Sequence, residues 1–93
     1  MNKIPTQFQM LGHTITVQVI PKKAWQYEDA VGVFNPQENT IKVLKQRADQ
    51  THHAYWHECM HCALYFMNHK LYANEQFVDQ LGGLLAQLAA TAE

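Results

Sequence analysis

This 93-residue chain lacks long apolar runs, an excess of either charge, and a cysteine framework. No stretch approaches 18 consecutive apolar residues, so no membrane-spanning helix is expected. The opening "MNKIPTQFQM" carries no apolar run of the kind found in signal peptides, and the expectation is a cytoplasmic protein. Seven Lys and Arg against eight Asp and Glu give a formal net charge of −1. That balance offers no electrostatic case for nucleic acid or for a membrane surface as partner. Two cysteines, Cys59 and Cys62, are too few for a secreted disulfide scaffold and fit a reducing compartment. Repeats, low-complexity segments and long linkers are missing too, which makes residues 1–93 a single expected domain.

What is present is a globular composition, 47% hydrophobic and 11% aromatic, with six histidines. A domain of this size buries roughly 60–65% of the surface its unfolded chain exposes, so the core is small. Neutral imidazole is the commonest metal ligand, which gives the histidines their interest.

Residues 7 to 20, "QFQMLGHTITVQVI", predict a hairpin turning at Gly12, with Ile15, Val17 and Val19 alternating against Thr14, Thr16 and Gln18. "PKKAWQYEDA" has neither period and reads as a connection with a short helical turn. A second hairpin joins "VGVF" to "TIKVLK" through the turn-forming "NPQEN". Ile41 and Val43 share one face of its second strand. Lys42 on the other suggests a protected sheet edge. From Asp49 or Thr51 as cap, about 20 residues without Gly or Pro predict a helix ending near Asn68 to Lys70. Asn74 caps a last helix running to about Thr91. Strands followed by two helices predict an α+β fold: a small, mostly antiparallel sheet packed on the two helices.

The first helix contains His57-Glu58-Cys59-Met60-His61, an HExxH pattern. The composition predicts only about 0.02 chance occurrences, so the pattern calls for a chemical reading. Residues four apart share a helix face, and two imidazoles so placed reach one ion at about 2.0–2.1 Å. Glu58 falls to the side of that face, free to act on a water rather than on the ion. A catalytic zinc needs a third protein ligand and an open position. The last helix offers Glu75 and, one turn on, Asp79, on a face continued by Gly82 and Ala86. Gly82 and Gly83 weaken a helix interior, and close approach of the HExxH helix is a reason to keep them. Glu75 then completes the zinc site, and Asp79 accepts a hydrogen bond from a ligating histidine. Against this stand a Glu75 that only complements the helix dipole and an Asp79 that is only solvated. His69 is a poorer third ligand by its wheel position.

With His57 at 0°, His61 lies at about 40° but Cys59 and Cys62 at about 200° and 140°. One ion cannot collect all four, and the thiols read as small core residues. The alternative is a structural Cys/His zinc site with His52 or His53. Trp56, Met60, Ala63 and Met67 form a second expected core stripe. His53, one turn before His57, and Tyr72 are candidate substrate or oxyanion contacts; Tyr55 and Tyr65 also carry phenols that could donate to developing charge.

HExxH followed on the next helix by Glu-x-x-x-Asp resembles the gluzincins, the thermolysin-like zinc peptidases. The compact layout, with Gly32-x-Phe34 and Asn39-x-Ile41-x-Val43 before the helix, is similar to small HExxH metallopeptidases of phages and mobile elements. The resemblance covers residues 31 to 88. The metzincin continuation is absent, since Leu64 and Met67 stand where Gly and His would be. The resemblance implies a minizincin-like domain in which His57, His61 and Glu75 hold Zn2+, Glu58 is the general base and Asp79 orients a ligand. It implies hydrolysis of a peptide or protein substrate. By strand addition, the expected edge strand at Thr40 to Lys45 could hold that substrate as an extended chain. The competing expectation is a non-catalytic zinc-binding regulatory or interaction protein. A water-accessible fourth position on the metal separates the two.

Overall fold

The computed structural model describes residues 3–92; Met1, Asn2 and Glu93, the ends of the expected domain, lie outside them. Four strands and two helices follow in order: β1 (Gln7–Met10), β2 (His13–Ile20), β3 (Gly32–Asn35), β4 (Thr40–Leu44), α1 (Ala48–Phe66) and α2 (Glu75–Thr91). A short 3-10 turn, Lys22–Ala24, interrupts the connection from β2 to β3. This is an α+β fold with an open, mixed sheet. Among the described residues no helix is long and apolar enough to cross a membrane.

Each hairpin forms as the turn chemistry dictates. Leu11 and Gly12, both at positive φ (47° and 82°), make the two-residue turn that matches strand twist. In the second hairpin the Asn35 carboxamide oxygen accepts the backbone N–H groups of Gln37 and Glu38, and Asn39 takes the left-handed conformation at φ 52°.

Two of the three strand pairings are antiparallel, as expected of the sheet, but the expected edge is not an edge. The sheet order is β1-β2-β4-β3, with β2 and β4 parallel, so β4 is internal and the edges are β1 and β3. The edge assigned to Thr40–Lys45 is therefore corrected to Gly32–Asn35. Burial is the reason. Parallel pairing sets Val17 beside Ile41 and Val19 beside Val43, so that Ile15, Val17, Ile41 and Val43 form one continuous apolar face. Lys42 marks the outer face of the sheet rather than its edge.

The core lies between that face and α1, which contributes Ala54, Tyr55, Cys59 and Cys62. Both cysteines are reduced and buried. Burial lifts the Cys59 thiol to about 12 and the Cys62 thiol to about 11, so both stay protonated. The second expected stripe is corrected in part: Trp56 and Met60 pack at the margin of the core, but Met67 is exposed. Likewise α2 buries only Val78 and Gly82, leaving Leu84 and Leu88 in solvent. The crossing with α1 uses the face that carries Gly82, as its glycines predict.

Helix ends place the site. Arg47 precedes α1 without a side-chain cap; Thr51 instead accepts the Gln46 N–H (2.9 Å) and donates to the Arg47 carbonyl (3.0 Å). Asp49, the other expected cap, sits in the first turn. At the far end Asn68 adopts φ 52°, while the Asn68 and His69 N–H groups return to the Tyr65 and Leu64 carbonyls. This is a Schellman closure with Asn in the left-handed position, and it reverses the chain within one turn. Asn74 then caps α2, its side chain accepting the Phe77 N–H at 2.9 Å.

Gly82 and Gly83 differ in role. A Cβ on Gly82 would lie 2.9 Å from the Cα and N of His57, against backbone. A Cβ on Gly83 would meet the His53 ring at 3.1 Å, and that side chain is 46% exposed and able to yield. Gly83→Ala is expected to stabilise the protein by about 0.5–1 kcal/mol through helix propensity. A thermal melt checks this, and a lowered Tm would mean the His53 ring is fixed in place.

Candidate metal centre

Helix periodicity brings His57 and His61 onto one face of α1, ring centroids 4.9 Å apart. The chain reversal at Asn68 and the cap at Asn74 start α2 with Glu75 facing them. Its Oε1 lies 3.1 Å from His57 Nε2 and its Oε2 3.1 Å from His61 Nε2. Among the described residues these three form the one group able to hold a metal ion, with ligand atoms all within 4.8 Å of one another. Cys59, Cys62, His52 and His69 are not part of it.

The opposite ring nitrogens fix the tautomers. His61 Nδ1 lies 2.9 Å from the Tyr72 carbonyl, which only accepts, so Nδ1 carries the proton. His57 Nδ1 lies 3.0 Å from Asp79 Oδ1 and donates to the carboxylate. In neutral rings both Nε2 lone pairs then aim at the Glu75 carboxylate, itself an acceptor. In that tautomer a cation satisfies all three acceptors, and the donor set of two imidazoles and a carboxylate fits one. A tetrahedral ion with ligand bonds of about 2.0 Å separates its ligand atoms by about 3.3 Å, close to the 3.1 Å at which each imidazole nitrogen stands from a Glu75 oxygen.

Asp79 is shared. The same Oδ1 accepts from His53 Nε2 at 3.0 Å, so His53 steadies Asp79. The two imidazole hydrogen bonds, His57 first, hold the Asp79 carboxyl below its ordinary value. His53 also lines a groove beside the centre, and the structure thus gives it two neighbours at once. The Tyr72 ring packs 5.6 Å from that of His61 and 5.6 Å from that of Tyr65. Burial raises its phenol, which stays a proton donor.

Glu58 stands outside the group of potential ligands but close enough to interact electrostatically with His57, His61 and Glu75. Its side chain is buried against β3, where Gly32 leaves it room: a Cβ there would lie 2.9 Å from Glu58 Cγ and Oε2. The Phe34 N–H of the same edge strand binds the carboxylate. Burial raises the Glu58 pKa above its ordinary value of 4.5, and the cationic forms of His57 and His61 oppose that rise.

Sequence reasoning brought His57, Glu58, His61, Glu75 and Asp79 together; His53 joins them through Asp79, and Tyr72 through its backbone carbonyl and its ring, both against His61. It missed Gly32, Phe34 and Asn68 as parts of the site. A left-handed Asn after a helix was a readable signal for the third; the first two needed the sheet order. No family model, curated protein sequence or solved structure matches the chain.

Proposed function

We propose that the protein is a zinc-dependent peptidase whose metal is held by His57, His61 and Glu75. The observation that supports this most is the convergence of two Nε2 lone pairs and a carboxylate, each imidazole anchored from behind by Asp79 or the Tyr72 carbonyl. Nitrogen and carboxylate donors at this spacing suit zinc, and anchoring from behind is how ligating histidines are oriented. When bound, zinc supplies Lewis-acid polarisation of the scissile carbonyl and lowers the pKa of a coordinated water to about 7.

The chain's own residues do the rest. Glu58, held by the Phe34 N–H outside the ligand set, accepts the proton of the attacking water and returns it to the leaving amine. Its raised affinity for protons, in an enclosed site, suits that exchange. The Tyr72 phenol, a protonated donor beside His61, is available to the developing oxyanion. The free edge of β3 runs past Glu58 and can pair with an extended substrate backbone. Among the described residues no fourth protein ligand joins the cluster, which favours a water-accessible position over a closed structural site.

Zinc titration by calorimetry tests the ligand set. The wild type is expected to bind one equivalent. Asp79→Asn should weaken binding roughly 10–100-fold, the range of an outer partner. Glu75→Ala should weaken it further than that. Equal affinities for Glu75→Ala and wild type would remove Glu75 from the site. Cleavage of a peptide library by the zinc-loaded protein tests the reaction, and intact peptides after prolonged incubation would refute it.

A further inference from the structure

A groove of about 1030 Å³ opens beside the metal centre, and the chain leaves it unfilled. Its walls are the first half of α1, the second half of α2 and the loop that enters β3; one end reaches His57, Glu75 and Asp79. Here α2 presents small residues, Gly83, Ala86 and Ala90, while Leu84 and Leu88 face solvent. Across the groove stand Ala48 and Ala54, and its largest aliphatic side chain is Val31. A helix that turns its alanines toward a cavity and its leucines toward water leaves room for an apolar group from elsewhere.

The charge around the groove is one-sided. Asp29 and Asp49 stand on it in addition to Glu75 and Asp79, and no Lys or Arg is among the described lining residues. Glu75 and Asp79 are engaged by the histidines. Asp49 pairs loosely with Arg47 at 3.6 Å in solvent, and Asp29 comes from the loop before β3. The electrostatic complement is a cation next to an apolar group.

We propose that this groove is a side-chain specificity site, taking a large apolar residue of a peptide whose neighbouring residue is basic. Cleavage of the bound peptide rests on the peptidase reading; the binding itself does not. The groove's contact with the metal ligands places the filled side chain beside the bond to be cleaved, while the edge of β3 carries the backbone.

The test uses the zinc-loaded Glu58→Gln protein, so that ligands survive, and capped hexapeptides Gly-Gly-Xaa-Zaa-Gly-Gly. Xaa is Ala or Phe and Zaa is Gln or Lys. By calorimetry, Phe should bind at least about tenfold tighter than Ala, given the apolar area it buries. Lys should bind tighter than Gln, with the gain lost at high salt. Ala86→Phe, which fills the groove, should erase the Phe preference; Ala90→Phe, at an exposed position, does the same should Ala86→Phe fail to fold. Asp29→Asn should reduce the gain from Lys. Equal affinity for Phe and Ala, or a Phe preference that survives the groove-filling variants, overturns the proposal. Selective binding without cleavage by the wild type would sink the peptidase reading and leave the groove standing; cleavage without selectivity would do the reverse.

Discussion

Glu58→Gln is expected to lower peptide hydrolysis by about 10²–10⁴-fold while leaving zinc affinity close to wild type and making the metal-free protein more stable at neutral pH. The three effects have one cause. Glu58 lies buried against Gly32, outside the cluster of potential ligands, so on the proposed peptidase reading its loss removes a base and not a ligand. Its folded-state pKa is raised, chiefly by desolvation. A carboxyl of that kind binds protons more tightly folded than unfolded. Its favourable contribution is therefore complete below about 4.5, the ordinary value, and is lost as pH rises through the folded value. Glutamine keeps the shape and still accepts the Phe34 N–H, without the buried charge. The Tm gap between variant and wild type, both metal-free, should be clear at pH 7 and should close as the pH drops below about 4.5. Loss of zinc binding in the variant would instead place Glu58 on the metal. A variant less stable at pH 7 would mean the carboxylate is compensated where it sits.

Gly82→Ala is expected to destabilise the protein and loosen its metal site, although alanine is the better helix former. The propensity gain is about 1 kcal/mol. The added Cβ, however, would stand 2.9 Å from His57 Cα and N and 3.2 Å from the Trp56 carbonyl carbon. Those are backbone atoms of a helix and cannot rotate away, so the two helices must separate. Overpacking of this kind costs about 1–3 kcal/mol, which makes the net change a loss. At roughly 4–8 °C per kcal/mol for a domain of this size, the fall in Tm is measurable. The separation also draws Glu75 and Asp79, carried by α2, away from His57 on α1. Zinc affinity should fall by roughly 10–100-fold, the range seen when an orienting partner is lost. Gly83→Ala is the control, because it adds the same methyl group one residue later against a ring that can move. If both variants gain stability, the close approach of α1 and α2 at Gly82 is wrong.

The neighbouring glycines show how far a sequence carries an argument. Two glycines in a helix announce a close contact. Which of them touches backbone is a matter of how α2 is rotated against α1, and no local pattern states it. The same division runs through the metal centre. Residues four apart on a helix must share a face, so His57 and His61 were bound to meet, and Asn74 was bound to start a helix on whose first turns Glu75 and Asp79 project together. The Tyr72 carbonyl behind His61 depends instead on the chain reversal at Asn68. A backbone oxygen has no residue type to betray it.

By itself, then, the sequence determined what depends on neighbours along the chain: both hairpins, the extents of the helices to within a few residues, the inward faces of Ile15, Val17, Ile41 and Val43, and the grouping of histidines with acids. The tertiary structure decided what depends on which surfaces bury which. Parallel pairing of β2 with β4, chosen because it joins two apolar strips into one face, moved the free edge from the expected Thr40–Lys45 to Gly32–Asn35. That shift put Gly32 and the Phe34 N–H against Glu58. Alternation specifies which side of a strand is buried; it does not specify the strand's partner, because every pairing that buries the same side satisfies the same pattern.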